Sequence, residues 1–161
     1  MSTPRILALD IGDRRIGLAI TDELGLTAQP LFTLHRTSLK ADLKTIARFI
    51  RQRGATVVVS GLPLNADGTE GPQASKARAF AEEIRVGHPE LEHHMLDERL
   101  TTRDAHERLS EAGYRARFEG RDARLDRRDL IDQVAAVLLL EAFVSQREGP
   151  TLLPDPDGAD V

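Results

Sequence analysis

Two apolar runs open the chain, and a short turn of small and charged residues separates them. Residues 6–9 are continuously apolar, which is typical of a strand buried on both faces, and the run leads directly into Asp10. Residues 12–15 supply turn chemistry, and strand character resumes at Ile16. We therefore predict a hairpin whose first strand is central and delivers Asp10 to one edge of a sheet.

Further along, strand and helix patterns alternate. Because a third strand follows the hairpin directly, the first three strands are predicted to form an antiparallel meander. The later elements are predicted from apolar spacing, caps and glycine stops. In order, they are strand 31–35, a helix from Ser38 to Gly54, strand 56–60 parallel to the first, helix 73–87, strand 92–96, a helix from Thr101 to Gly113, and a last, largely apolar helix from Asp129.

This order of elements predicts an α/β protein with a mixed five-stranded sheet flanked by helices, and it matches a ribonuclease-H-like fold. Residues 1–147 are expected to form a single nuclease-type domain. Residues 148–161 are rich in proline and glycine, so we predict a disordered C-terminal tail there.

Composition narrows the class of protein. The chain has 161 residues and no cysteine, which excludes a disulfide framework and thiolate metal sites. The N-terminus does not resemble a signal peptide, and no apolar run approaches the roughly 20 residues of a membrane span. We therefore expect a soluble cytoplasmic protein without membrane contact. The net charge of -4 argues against a globally basic nucleic-acid binder, but not against local patches.

One such patch lies between residues 114 and 128, where arginine is frequent. The segment is either a solvated loop or a clamp for a phosphate backbone, since arginine donates several hydrogen bonds to phosphate oxygens without reading sequence. Two arginines in the first hairpin turn have the same two interpretations. The candidate substrate-binding residues are Arg14, Arg15, Arg115, Arg117, Arg121 and Arg124.

Three acidic residues, Asp10, Glu98 and Asp132, stand at element ends that are predicted to meet at one sheet edge. Clustered carboxylates repel one another and are stable together when a divalent cation neutralises them. Oxygen ligands favour Mg²⁺ or Mn²⁺, and two such ions would activate water and stabilise the leaving oxygen of a phosphodiester. We therefore predict these three residues to be both metal ligands and catalytic acids.

Each acid also has a structural interpretation. Asp10 could cap the hairpin turn, and Glu98 could pair with a neighbouring arginine while Asp97 serves as the ligand. Asp132 could instead interact favourably with the positive N-terminal end of the helix macrodipole, as could Asp129 one turn earlier. The five histidines are scattered along the chain, and we assign them no role.

Four stretches resemble a known family in content and order: DIGDRRIGLA at 10–19, GLPL at 61–64, DERLTT at 97–102 and DQVAA at 132–136. They resemble the YqgF family, also called RuvX, over nearly the whole chain. The resemblance implies a ribonuclease-H-like fold related to the RuvC resolvases and a nuclease role in maturing the 5′ end of 16S ribosomal RNA. It also implies Asp10, Glu98 and Asp132 as metal-binding catalytic acids.

The preferred function is a metal-dependent endo- or exonuclease with pre-ribosomal RNA as its partner. One alternative is a resolvase of four-way DNA junctions, which needs two active sites about a two-fold axis. A second is a non-catalytic, transcription-associated nucleic-acid-binding factor, which needs no carboxylate triad. An actin-like or sugar-kinase-like phosphate site would need a second domain. We expect a monomer or a weak homodimer.

Overall fold

The computed structural model describes residues 3–101 and 126–152. The helix predicted after Thr101 lies outside these residues, and so do four of the candidate phosphate contacts, namely Arg115, Arg117, Arg121 and Arg124. Their roles therefore stay predictions.

Five strands form one mixed sheet in the order β3-β2-β1-β4-β5. The first three are antiparallel neighbours, whereas β4 runs parallel to β1 and β5 runs parallel to β4. The predicted meander and the central, parallel-paired first strand are thereby confirmed. The strands are β1 (Ile6–Ile11), β2 (Arg15–Thr21), β3 (Ala28–His35), β4 (Val57–Leu62) and β5 (Glu92–Asp97).

Helices cover both faces of the sheet. The described helices are α1 (Leu39–Arg53), α2 (Pro72–Gly87) and α3 (Arg127–Leu152), with a short 3₁₀ turn at Glu98–Leu100. Alternate residues of β1 enter two separate cores, because successive strand side chains point to opposite faces. Leu7 and Leu9 pack with α1 and α2, whereas Ile6 and Ala8 pack with α3.

Strand β3 is longer than the predicted 31–35 because it tolerates Pro30 within it. A proline cannot donate to a strand ladder, but β3 is an edge strand and has a partner on one side only. The register also shifts here, since Leu18 pairs with Phe32 whereas Ala19 pairs with Pro30. The bulge absorbs Leu31 and lets the pairing continue.

Helix α3 differs from the prediction at both ends. It begins at Arg127 rather than Asp129, and its backbone stays helical to Leu152, so residues 148–152 of the predicted tail are helical. Extending a packed helix costs little per residue, so composition alone did not show where it ends. Across the described residues, no helix combines the length and apolarity needed to cross a membrane.

Candidate active site

The candidate site lies at the sheet edge where the parallel strands β1, β4 and β5 end. Asp10 is the penultimate residue of β1, and Glu98 opens the 3₁₀ turn directly after β5. Carboxyl ends of neighbouring parallel strands share an edge, which is where open α/β sheets place their ligand sites. The sequence prediction that Asp10 and Glu98 belong to elements ending at one edge is therefore confirmed for these two residues.

The carboxyl groups of Asp10 and Glu98 hydrogen-bond to each other. Burial raises the pKa of Glu98 to about 8, and the charge and hydrogen bond of Asp10 add to that rise, with a smaller contribution from Asp97. At neutral pH the two carboxyl groups therefore share a proton. The pair concentrates negative charge at this edge as soon as that proton leaves.

Glycine at position 61 makes room for the Glu98 side chain. A Cβ atom on Gly61 would lie 2.3 Å from Oε1 of Glu98 and 2.9 Å from its Cγ. Any larger residue would have to displace the carboxylate. In the sequence, Gly61 stands out only as the glycine that follows strand 56–60 and opens the GLPL stretch, and its positioning role was not predicted.

Asp132 lies on α3, where the helix backbone makes a close contact with Gly17 of β2. Gly17 pairs with Asp10 in the sheet, and a Cβ on Gly17 would lie 2.0 Å from the backbone oxygen of Asp132. The helix backbone therefore rests directly on β2, one strand away from Asp10. Glycine at position 17 permits this approach, and sequence reasoning assigned no role to it.

The Asp132 side chain, however, is bound to an arginine. Its Oδ2 accepts a hydrogen bond from Nε of Arg15 at 2.5 Å, and this contact raises the pKa of the Arg15 guanidinium. Within residues 3–101 and 126–152, no group of three or more histidine or acidic side chains is arranged to hold a metal ion. The structure thus joins Asp10 to Glu98 and pairs Asp132 with Arg15, so the three-acid site stays a prediction.

Asp129, one turn earlier on α3, lies against His35 and Thr33 of β3. Nε2 of His35 lies 3.0 Å from its Oδ1 and 3.1 Å from its Oδ2, but the hydrogen bond is made to Oδ2. Oδ1 is buried, and among the described residues no hydrogen bond is made to it. The Thr33 hydroxyl donates to the Asp129 backbone oxygen at 2.7 Å and fixes the start of the helix against β3.

Asp97 binds Arg99 and stabilises the start of the 3₁₀ turn. Its carboxylate accepts from Nη2 of Arg99 at 2.7 Å and from the Arg99 backbone N–H at 2.9 Å, which begins the 3₁₀ turn. The guanidinium of Arg99 holds the pKa of Asp97 below its usual value. Arg99 therefore pairs with Asp97 and not with Glu98, which leaves the Glu98 carboxylate directed at Asp10.

The turn between β1 and β2 is held from three elements. Nη1 of Arg36 donates to the backbone oxygen of Gly12 at 2.8 Å, and its Nε donates to the buried Asp42 of α1. From α2, Gln73 donates to Asp13 at 2.9 Å. This support was not predicted, because it depends on side chains from three separate parts of the sequence.

Arg14 is exposed on the turn between β1 and β2. Among the residues that the structure describes, its guanidinium has no acidic partner, whereas that of Arg15 is engaged by Asp132. The two arginines were predicted together as phosphate contacts, and the structure gives them different surroundings.

The donor set fits a divalent cation such as Mg²⁺ or Mn²⁺. Asp10 and Glu98 are oxygen donors that repel each other when ionised, whereas Asp129 lies against His35 and Thr33 of β3. Such a cation prefers carboxylate oxygens and would replace the shared proton. The chemistry of these residues therefore favours a metal site at this edge.

One testable consequence concerns stability in the absence of metal. The pKa of Glu98 is about 8 in the folded protein against an ordinary 4.5, so the folded state holds this proton more tightly than the unfolded chain. Its stabilising contribution is complete below the ordinary pKa and is lost as pH rises through the folded-state pKa. We expect the free energy of unfolding in EDTA to fall by up to about 5 kcal/mol between pH 4.5 and 8, at ~1.4 kcal/mol per pKa unit.

Denaturant unfolding at several pH values would measure this loss, with Glu98→Gln as the neutral control of the same shape. The loss should be absent in Glu98→Gln, and Mn²⁺ should oppose it in the parent protein because the cation favours the ionised carboxylates. Equal pH dependence in the two proteins would contradict the assignment of the shared proton to this pair.

Comparison with known proteins gives consistent results. Residues 4–146 match the family model described as "RuvX: Holliday junction resolvase". A relative from Myxococcus xanthus named "Putative pre-16S rRNA nuclease" is 41% identical over 156 residues, covering 97% of this chain and 97% of the relative. A relative of the same name from Moorella thermoacetica is 42% identical over 144 residues, which cover 88% of this chain and 95% of the relative.

Among solved structures, T. thermophilus RuvC in complex with a Holliday junction substrate aligns with a TM-score of 0.61 at 14% identity. The alignment covers 90% of this chain and 96% of that chain. At this identity the likeness shows the fold alone, and it confirms the predicted ribonuclease-H-like fold.

Proposed function

Because the chain belongs to the RuvX family, we propose that it is a divalent-metal-dependent nuclease that acts in 5′-end maturation of pre-16S ribosomal RNA in the cytoplasm. The observation that carries the proposal is the Asp10–Glu98 carboxyl pair at the carboxyl edge of the sheet. The relatives named for pre-16S rRNA support the choice of substrate.

Asp10 and Glu98 would hold the cation, together with Asp132 or Asp129 from α3. A bound Mg²⁺ or Mn²⁺ would supply the Lewis acidity that activates water and stabilises the leaving oxygen of a phosphodiester. Glu98 gives up its shared proton when the site is loaded, and Gly61 leaves its carboxylate room beside β4.

Arg14 and Arg15 are proposed to bind the substrate's phosphates in different ways. Arg14 is exposed and is presented by a turn that Arg36 and Asp13 fix in place. Arg15 neutralises Asp132 and would exchange this carboxylate for a phosphate oxygen once Asp132 is recruited to the metal site. Arg115, Arg117, Arg121 and Arg124, which lie outside the described residues, are proposed as further phosphate contacts.

The second candidate function is cleavage of four-way DNA junctions, which the description of the family model favours. Symmetric junction cleavage needs two active sites related by a two-fold axis, so it requires a dimer. Hydrolysis of a single RNA strand needs one site and is compatible with a monomer.

The deciding experiment offers the purified protein three labelled substrates: a pre-16S 5′-leader RNA, DNA of the same sequence and a four-way DNA junction. We expect cleavage of the RNA with Mn²⁺ or Mg²⁺, no cleavage in EDTA, and at least ~10-fold less cleavage of the matched DNA, because the 2′-hydroxyl distinguishes the two sugars. Paired nicks in the junction by a dimeric protein would favour the resolvase, and binding without any cleavage would contradict both.

A further inference from the structure

Helix α1 carries a row of basic side chains on its solvent face. Lys40, Lys44, Arg48 and Arg51 are all exposed, and their spacing of four, four and three residues places them on one face of the helix. We call these four residues the α1 basic row. The one acidic residue of the helix, Asp42, is buried and is bound by Arg36.

Within the part of the chain that the structure describes, these cations have no acidic partner, which distinguishes α1 from α2. On α2, each of the three basic residues forms an ion pair: Lys76 with Asp13, Arg78 with Glu70 and Arg85 with Glu82. Across the described residues, none of the α1 basic row has such a partner. Within the described residues, the row is therefore a local concentration of positive charge in a chain of net charge -4.

The row has an electrostatic cost in the free protein. Like charges four residues apart on a helix repel each other, and Lys40 also lies at the positive end of the helix macrodipole. A bound polyanion would remove both penalties. The charges of the row are therefore more favourable when a polyanion is bound to α1 than in the free protein.

The position of α1 connects the row to the candidate site. The helix begins just after β3, where the Arg36 backbone N–H donates to the backbone oxygen of Arg14 at 2.9 Å. From this edge the row extends for about 16 Å along the helix, at ~1.5 Å per residue. That length matches about four or five phosphates of one strand of a duplex, at ~3.4 Å each.

A groove of about 710 Å³ follows the edge strand β3. Arg53 lines one end of this groove, and His35 and Asp129 line the other. Between them lies Phe32, whose side chain is 39% exposed and packs against Phe49 of α1 at 5.1 Å between ring centroids. An exposed aromatic ring beside cations is a surface on which an unpaired base can stack.

We propose that the α1 basic row binds the sugar–phosphate backbone of a nucleic-acid arm that extends beyond the cleavage site. The inference rests on the proposed nuclease function, since it supplies that site with a longer substrate. Charge complementarity carries it: four exposed cations stand in line on a helix that begins next to the β1–β2 turn, and none of them has an acidic partner among the described residues. Because the contact is with phosphates, binding depends on the length and shape of the nucleic acid and not on its base sequence.

The test is the salt dependence of binding, measured on the full chain in EDTA by fluorescence anisotropy. The probes are labelled duplex RNA, single-stranded RNA and duplex DNA, each long enough to reach from the site along α1. The variant is Lys40→Gln/Lys44→Gln/Arg51→Gln. The matched control is Arg78→Gln/Arg85→Gln/Arg147→Gln, which removes the same charge from residues that are ion-paired with Glu70, Glu82 and Glu92.

We expect the α1 variant to lower the magnitude of the log K against log salt slope by about 2–3, because each phosphate contact contributes ~0.7–0.9. Its affinity at moderate salt should fall ~10–100-fold for each probe, and the control should keep the slope of the parent protein. Thermal unfolding should show the α1 variant to be at least as stable as the parent, since it relieves repulsion. Lys44→Gln alone should lower the slope by about 1.

An unchanged slope in the α1 variant, or an equal drop in the control, would overturn the proposal. So would binding by the row to anionic phosphatidylserine vesicles without binding to the nucleic-acid probes. Because no cleavage is measured, a failure here leaves the proposed nuclease site standing. Conversely, an absence of metal-dependent cleavage would not change the slopes.

Discussion

Replacing Asp10 by Asn is expected to lower metal-dependent cleavage by about 10³-fold or more without unfolding the protein. Loss of one charged oxygen from a metal-binding pair removes several kcal/mol of charge stabilisation, and each 1.4 kcal/mol corresponds to ~10-fold in rate. The fold should tolerate the change, since the substitution removes one of two repelling carboxyl groups that share a proton. Calorimetric titration with Mn²⁺ should show weakened binding in the same variant.

Glu98→Gln should behave in the same way, because Glu98 is the other member of the pair. The matched control is Asp22→Asn in the turn after β2, where the carboxylate accepts from the Leu26 backbone N–H at 2.7 Å. That turn lies at the opposite end of β2 from the site, so the control should retain cleavage. Full activity in Asp10→Asn would remove Asp10 from the mechanism.

Much of the fold could be predicted because it depends on local signals. The α1 helix runs from the Ser38 cap, whose hydroxyl accepts from the Ala41 N–H, to Gly54 at φ 66°. Both ends were visible in the sequence as a cap residue and a glycine stop. The longer β3 and the extended α3 were not visible, since a bulge and the packing of a helix depend on tertiary neighbours.

The candidate site likewise has a part that could be predicted from the sequence and a part that could not. Asp10 and Glu98 could be placed because Asp10 lies near the end of an apolar strand and Glu98 directly follows β5, and parallel strands bring their ends together. The pairing of Arg15 with Asp132 could not be predicted, since it joins residues 117 positions apart. Each partner had been assigned separately to phosphate or metal, and their mutual contact depends on how closely α3 approaches β2.

The close approach of α3 to β2 depends on a glycine, and the sequence alone does not show which glycine permits it. Gly17 and Gly61 occur in apolar strands, where a missing side chain most simply indicates weaker packing. In the structure each one makes room for a particular neighbour: Gly17 for the backbone of Asp132, and Gly61 for the carboxylate of Glu98. Two of the three predicted acids therefore depend on positions that have no functional group.

Gly17→Ala is accordingly expected to damage both stability and activity. The added Cβ would lie 2.0 Å from the Asp132 backbone oxygen and 3.3 Å from its Cα, so α3 must move away from β2. Overpacking of this kind costs about 3 kcal/mol, which lowers the melting temperature of a chain of this size by about 6–12 °C. Displacing Asp132 by about 1 Å should reduce cleavage ~10²-fold beyond any loss of folded protein.

Thermal unfolding and the cleavage rate at a temperature where the variant is folded would separate the two effects. Gly87→Ala is the matched control, because a Cβ at the end of α2 meets no atom within 4 Å. It should be neutral or slightly stabilising, since alanine favours the helix. If Gly17→Ala were as stable and as active as this control, α3 would not rest on β2 at Gly17, and Asp132 would not owe its position to that contact.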